Sequence, residues 1–474
     1  MTIDRRTFLK AAVGAAGAAL VDPAFGAEAA DTADTAAKRR PNLLLIMTDQ
    51  QSLSGVQGYG NPVVRTPNVA RLGAEGVLCE DFYISAFPCT PARSVLVTGQ
   101  WAHTTGIVTN KVELPNDHPS LGHHFREAGY RTHYVGKWHL GGEVYRGVEV
   151  ASGVLDGRVA VSRGPSGFVF EKAQGGLGED GPNGGFKDTY IGGWNHYKQY
   201  LRDVGLGGYT RDPWVGAHQQ RPSAPDDKSA YSQIPAAHHM SAFLAGSMEN
   251  VIRNAAGTET PWMGVLSFYG PHLPVAPPRP WHERYALGDV PLPANFNDTL
   301  AGKPPSQRAD PAYVRLRWKE AQVRDYIRRY WGFCSYVDEQ LGRVLAALDE
   351  TGQMDDTVVV FTSDHGDMVG EHGMIYKLST CGYDALIRVP LIVRYPARLK
   401  AGVRIEGFVE QIDLLSTLLD LAGIEPRKAA QEEARIQGRS FAALLEGTGQ
   451  PHESDVQVDM MNRCWTVRTA SHKA

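Results

Sequence analysis

Two stretches of this chain constrain its fold more than any other feature, because they stay apolar where an exposed strand would alternate. Residues 42–47 read Asn-Leu-Leu-Leu-Ile-Met, and residues 357–362 read Thr-Val-Val-Val-Phe-Thr. Such runs suit strands covered on both faces, as in a parallel sheet with helices above and below. The rest of the chain alternates to match. Thr66 is placed to cap a helix running from Pro67 through Glu75, Gly76 ends it, and residues 77–84 read as a strand. Ser120 caps a helix to Ala128, Gly129 stops it, and residues 130–135 read as a third strand. A helix is expected at about 239–254, strands at 263–268 and 391–394, and a short helix at 412–421. The clearest helix spans 325–348. Around it Val323, Tyr326, Ile327, Tyr330, Cys334, Val337, Leu341, Val344, Leu345 and Leu348 recur at three- and four-residue steps and read as core. The pattern predicts an α/β fold, a mostly parallel sheet flanked by helices.

Residues 141–235 break that rhythm. They are rich in Gly, Pro, Asp and Trp, and too long for a plain connection in a compact domain. They read as an insertion over the functional face, with a short helix at 194–201. Past residue 440 only 456–461 and 465–469 read as strands. A chain of 474 residues can bury a large core. Its formal charge of −4 offers no general argument for nucleic acid or an anionic membrane as partner, so any cationic pocket must be local. The five cysteines, Cys79, Cys89, Cys334, Cys381 and Cys464, are odd in number and widely spaced, which fits neither a zinc motif nor a disulfide framework.

The N-terminus reads as a targeting segment. Asp4-Arg5-Arg6-Thr7-Phe8-Leu9-Lys10 resembles a twin-arginine export signal, and a mildly apolar run at 11–20 follows it, too short to span a bilayer. Ala27-Glu28-Ala29 fits a small-x-small cleavage site, with no nearby cysteine for a lipid anchor. The expectation is removal of residues 1–29 and export by the twin-arginine machinery to the periplasm or beyond, with no stable membrane anchor. An ordinary amphipathic N-terminal helix is the competing interpretation.

The buried runs end on chemistry. Met47-Thr48-Asp49-Gln50 closes the first, and Phe361-Thr362-Ser363-Asp364-His365-Gly366 the second. Open α/β sheets gather ligands at the carboxyl ends of their strands. The third strand leads into Gly136-Lys137-Trp138-His139, strand 263–268 leads into Gly270-Pro271-His272, and Lys377 lies on the loop beyond Asp364. Taken singly, each Asp fits a turn cap, and each Lys or His a solvated or core-satisfied side chain. Cys89 begins Cys-Thr-Pro-Ala-Arg, a Cys-x-Pro-x-Arg pattern followed by a helix start and Thr98-Gly99. Alone, that pattern suits a structural cysteine before a proline-initiated helix equally well.

Together and in this order the segments resemble the sulfatase signature of the alkaline phosphatase superfamily. The resemblance implies an alkaline-phosphatase-like sheet, a catalytic domain at 30–425 and a small C-terminal α+β subdomain at 426–474. In family members that subdomain usually runs further, so here it is expected to be either abbreviated or cut short at Ala474. It also implies that a formylglycine-generating or equivalent maturase oxidises Cys89 to formylglycine, an aldehyde that hydrates to a geminal diol. It implies a metal held by Asp49, Gln50, Asp364, His365 and the modified Cys89. The family has Asp-Asp where this chain has Asp49-Gln50, and Asp-Asn or Asp-His at Asp364-His365. Carboxylate and amide oxygens suit a hard cation, so Ca²⁺ is expected, while the imidazole also admits Mn²⁺ or Zn²⁺. Lys137 would hold an oxygen of the diol or sulfate, His139 the diol, and His272 and Lys377 the sulfate or leaving oxygen. Arg93 would stabilise the diolate.

These roles imply hydrolysis of a sulfate monoester to alcohol and sulfate. One hydroxyl of the diol attacks sulfur, the leaving oxygen takes a proton from His272 or Lys377, and the second hydroxyl then expels sulfate as the aldehyde reforms. His139 is the expected base for that last step. A phosphonate or phosphate ester hydrolase on the same site is the alternative, and an inactive protein that binds a sugar sulfate is a second. The sulfate-reading groups cannot choose the alcohol, so that choice is expected to fall to the insertion. Trp194, His196 and Trp214 are its candidate contacts to a sulfated carbohydrate or small molecule, with packing inside the insertion the competing role.

Overall fold

The computed structural model describes residues 40–115, 118–140, 189–191, 193–209, 212, 231–377, 382–425, 435–451, 455–460 and 464–473. Among the described residues eight strands form the main sheet: β1 Asn42–Asp49, β2 Val77–Tyr83, β3 Arg131–Gly136, β4 Thr189–Ile191, β5 Trp262–Pro271, β6 Thr357–Ser363, β7 Leu391–Arg394 and β8 Val403–Glu410. Their order is β4-β3-β5-β1-β6-β7-β2-β8. β7 is antiparallel to both neighbours, and every other pairing is parallel. The expected mostly parallel α/β sheet is thus present.

The apolar runs occupy the sheet's centre for a plain reason. All eight residues of β1 are buried. Leu43, Leu45 and Met47 pack into one core layer, and Leu44 and Ile46 into the opposite one. β6 divides likewise, with Val358 and Val360 on the first side and Val359 and Phe361 on the second. Helices α1 Pro67–Glu75, α2 Cys89–Thr98, α3 Leu121–Glu127, α4 Gly193–Asp203, α5 Met240–Ala255, α6 Glu320–Glu350 and α7 Leu414–Leu421 flank the sheet. The first layer takes Leu96 and Val97 of α2, Phe125 of α3 and Leu415 and Leu418 of α7. The second takes Leu244 and Met248 of α5 and Val337, Leu341, Val344 and Leu348 of α6. Among the described residues no helix is long and apolar enough to cross a membrane.

Several elements differ from expectation. α6 begins at Glu320, because its first turn lies beyond the apolar stripe. Two edge strands carry no clear sequence signal. β4 has only three residues, and β8 alternates polar and apolar positions around Gly407, as one-sided burial at an edge demands. Thr66 does not cap α1 with its side chain. Its hydroxyl accepts from the Gln57 N–H instead, and Asp338 of α6 accepts from the Asn68 and Val69 N–H groups (3.1 and 2.8 Å). Ser120 likewise makes no side-chain cap to α3. β9 Asp455–Met460 and β10 Cys464–Thr469 form a separate antiparallel pair. The Asp459 backbone exchanges hydrogen bonds with Ser85 and Phe87, just ahead of Cys89. The export segment at 1–29, most of the insertion and Trp214 lie outside the described residues, as do the side chains of Trp194 and His196.

Candidate active site

Four adjacent parallel strands, in the order β3-β5-β1-β6, deliver their carboxyl ends to one place. β1 ends at Asp49, and Gln50 turns away with a left-handed φ of 69°. β6 leads into Asp364 and His365, β3 into Lys137 and His139, and β5 into His272. Thr48 stands opposite Ser363 and Asp49 opposite Pro271, so the two acidic strand ends lie level. Cys89 opens α2 on the connection leaving β2. At Gly136, φ is +114° and a Cβ would lie 1.8 Å from the Ser267 carbonyl oxygen. Glycine is therefore required where β3 closes on β5 and hands the chain to Lys137.

The side chains converge. Asp49, Cys89, Asp364 and His365 are buried, with one ligand atom from each lying within 4.8 Å of the others. Cys89 Sγ lies 3.1 Å from His365 Nε2 and 2.9 Å from Lys377 Nζ. Lys377 Nζ is also 3.1 Å from His272 Nε2, and His139 is within hydrogen-bond reach of Cys89. Lys137 Nζ pairs with Asp49 Oδ2. The carbonyls of Gly366 and Leu273 lie 2.9 and 2.7 Å from Nδ1 of His365 and His272, which aims Nε2 of both rings at the thiol.

This donor set fits a divalent cation. Asp49 Oδ1 and Gln50 Oε1 are buried with no hydrogen-bond partner, an arrangement that is costly unless something else takes up those oxygens. Two carboxylates, an amide oxygen and an imidazole nitrogen are sound ligands for Ca²⁺ or Mn²⁺.

The electrostatics favour an anion at position 89. Burial opposes ionisation of the Cys89 thiol, but Lys137, Lys377 and His365 outweigh it and hold the thiol well below its ordinary range. Any anion formed on that side chain, or transferred to it, meets the same positive field. Burial raises the Asp49 carboxyl, yet Lys137 and His272 bring it below the usual carboxylate range. Burial and Lys137 push His139 down to about 4, so its imidazole is neutral near pH 7. Burial and Lys377 depress His272 as well. Burial and Lys377 also work against protonated His365, but Asp364 and Cys89 prevail and raise it.

The ten residues given catalytic or metal-binding roles from the sequence thus meet in one cluster. Arg93, expected to stabilise the diolate, lies close enough to Cys89 for their charges to interact and also braces the strand ends. Its Nε donates to Asp364 Oδ2 (2.8 Å), Nη2 reaches Asp49 Oδ2 (3.4 Å), and Nη1 donates to the Lys137 carbonyl (2.7 Å) and Ser267 Oγ (2.9 Å). Every guanidinium nitrogen is thus engaged by the two buried carboxylates and the neighbouring strand ends. No sequence signal points to Ser267 or to Tyr134, whose hydroxyl donates to the Lys137 carbonyl (2.6 Å). Tyr330, which donates to the Gln50 carbonyl (2.7 Å), is visible in the sequence only as helix core.

The comparisons with known proteins agree with this geometry. The family model Sulfatase matches residues 41–424. The uncharacterized sulfatase YidJ of Escherichia coli strain K12 is 30% identical over 90% of this chain and 78% of its own. The multifunctional alkaline phosphatase superfamily protein PehA of Trinickia caryophylli is also 30% identical, over 87% of this chain and 78% of its own. The phosphonate monoester hydrolase of Agrobacterium radiobacter superposes with a TM-score of 0.71 at 25% identity, over 92% of this chain and 86% of that one. The chain belongs to the sulfatase family and is a sulfuric ester hydrolase of the alkaline phosphatase superfamily.

Proposed function

We propose that the protein is an exported sulfatase that hydrolyses a sulfate monoester through a formylglycine diol at position 89. The observation that carries this reading is the setting of Cys89. Its side chain sits at a helix start with two lysines and three histidines around it and two carboxylates beyond. Asp49, Gln50, Asp364 and His365, with the modified residue 89, would hold a divalent cation, Ca²⁺ or Mn²⁺. When bound, it supplies Lewis-acid charge neutralisation at the sulfuryl oxygens.

The chain's own residues then divide the work. Lys137 and Lys377 bind and neutralise the ester's anionic oxygens. One hydroxyl of the diol, which has given its proton to solvent and is held as the alkoxide by the positive field of Lys137, Lys377 and His365, attacks sulfur; an S–O bond forms, and the S–O bond to the alcohol breaks. The departing oxygen takes a proton from the Lys377–His272 pair, in which the neutral imidazole accepts from the ammonium. The remaining hydroxyl gives its proton to neutral His139, the C–O bond to sulfate breaks, and the aldehyde returns. Water adds back to restore the diol. Arg93 and Gly136 keep the strand ends in register throughout.

Phosphonate or phosphate ester hydrolysis is the second reading. It is favoured by the likeness to the phosphonate monoester hydrolase of Agrobacterium radiobacter. Steady-state turnover of an aryl sulfate, an aryl phosphonate monoester and an aryl phosphate diester separates the two. The sulfatase reading predicts the highest kcat/KM for the sulfate, and a higher value for either phosphorus ester overturns it. The sulfated carbohydrate or small molecule, the maturase and the twin-arginine route belong to the same proposal. Replacing Arg5 and Arg6 by Lys should keep the protein in the cytoplasm.

A further inference from the structure

Asp367 lies outside the ligand set, and we propose that it is the positioning residue that turns the Gln50 amide so that its carbonyl oxygen faces the cation site. The proposal rests on the metal reading above. Sulfatases with Asp at the position of Gln50 have no such problem, because both carboxylate oxygens are alike. Glutamine has two different ends. With the amide turned over, an NH₂ group faces the cation and a ligand is lost.

The surroundings of Gln50 leave one end open. Its N–H donates to Asp364 Oδ1 (3.0 Å), and its carbonyl accepts from the Tyr330 hydroxyl (2.7 Å). Its side-chain Nε2 donates to Asp367 Oδ2 (2.6 Å). Oε1 is buried without a hydrogen-bond partner. Asp367 is itself fully buried and locked by three further donors. Oδ2 accepts from the Tyr326 hydroxyl of α6 (2.8 Å), and Oδ1 from the N–H groups of Val369 (2.8 Å) and Tyr376 (3.1 Å). Two of those donors are backbone groups that cannot turn round, so Oδ2 is held as an acceptor facing Gln50. Tyr376 also precedes Lys377 in the chain. One carboxylate therefore sets both a ligand's orientation and the start of the segment bearing the lysine.

The test is a set of four proteins: wild type, Asp367→Asn, Gln50→Glu and the double variant. Each is stripped of metal and titrated with Mn²⁺ alone, with free Mn²⁺ read by electron paramagnetic resonance. In Asp367→Asn the backbone donors retain the oxygen, and the NH₂ replaces Oδ2. Gln50 then meets it donor to donor and turns over, and Mn²⁺ affinity should fall about 10- to 100-fold. Gln50→Glu alone adds a negative ligand but sets carboxylate against carboxylate, so its Mn²⁺ affinity should also fall. In the double variant the NH₂ group introduced at position 367 donates to the carboxylate introduced at position 50. The other oxygen of that carboxylate is free for the cation, and affinity should return to the wild-type value or exceed it. Tighter binding by Gln50→Glu alone, wild-type affinity in Asp367→Asn, or no recovery in a double variant that keeps the wild-type melting temperature would each overturn the proposal. Wild type that takes up no Mn²⁺ would instead remove the metal reading on which it rests.

Discussion

Replacing Arg93 by Met removes one positive charge from between two buried carboxylates while nearly preserving side-chain volume. Arg93 and both partners are essentially inaccessible, with exposures of 1% for the guanidinium side chain and 0% for Asp49 and Asp364. Breaking a buried pair by deleting one partner costs about 3–5 kcal/mol, because the other charge stays desolvated. Globular proteins unfold with an entropy of about 2.1 cal/mol/K per residue, roughly 0.9 kcal/mol/K for a unit of about 435 residues, so the melting temperature should drop by about 3–5 °C. That applies to metal-free protein. A divalent cation held by Asp49 and Asp364 would supply the missing charge, so with saturating Mn²⁺ the drop should shrink by about half or more. Differential scanning fluorimetry of wild type and Arg93→Met at pH 7, in EDTA and in Mn²⁺, measures both. A drop below about 1 °C in EDTA, or equal drops in the two conditions, would refute the argument that Arg93 serves as counter-ion to the metal ligands.

Gly136→Ala should lower kcat/KM by about 100-fold or more, because the added Cβ drives β3 off the Ser267 carbonyl and displaces Lys137 by the ångström scale that disrupts catalysis; near-normal kinetics would show that the strands give way freely. The hydrogen bond to Asp459 raises the pKa of His103 above its ordinary value, against a smaller opposing effect of burial. Its stabilisation is therefore fully present below about pH 6.5 and fades as pH rises through the folded-state value. The melting-temperature gap between wild type and His103→Ala should accordingly be wider at pH 5.5 than at pH 9, and a gap that widens with pH would contradict the sign. Asp338→Ala strips the acceptor from the first turn of α1 and should destabilise by about 2–3 kcal/mol, read as a lower melting temperature with kcat unchanged.

What the sequence discloses and what it withholds divide along physical lines. The central strands are legible because two-sided burial keeps 42–47 and 357–362 almost wholly apolar. The candidate metal-binding residues Asp49, Gln50, Asp364 and His365 are legible because they follow those strands directly. The edge strands β4 and β8 are not, since β4 has only three residues and Gly407 interrupts the alternation of β8. Contacts between side chains distant in sequence are also invisible. Asp338 takes over the capping role expected of Thr66, and nothing local to either residue says so. The sequence places Arg93 at the site, but only the fold shows the four acceptors around its guanidinium. Asp367 sits three residues past Asp364 and looks like any loop acid until Gln50, Tyr326 and two backbone amides are seen to converge on it.

The central claim is that the thiol of Cys89 is a precursor and the working group an aldehyde hydrate. The most direct measurement is the mass of the tryptic peptide covering residues 72–93, from protein that hydrolyses an aryl sulfate. That peptide also holds Cys79, a fully buried thiol whose pKa burial pushes up to about 12, so one unmodified cysteine serves as an internal control. Conversion at Cys89 should lower the peptide mass by about 18 Da, with the change mapped to position 89 by fragmentation and Cys79 still open to alkylation. An active preparation in which both cysteines alkylate and the mass matches the unmodified sequence would contradict the account.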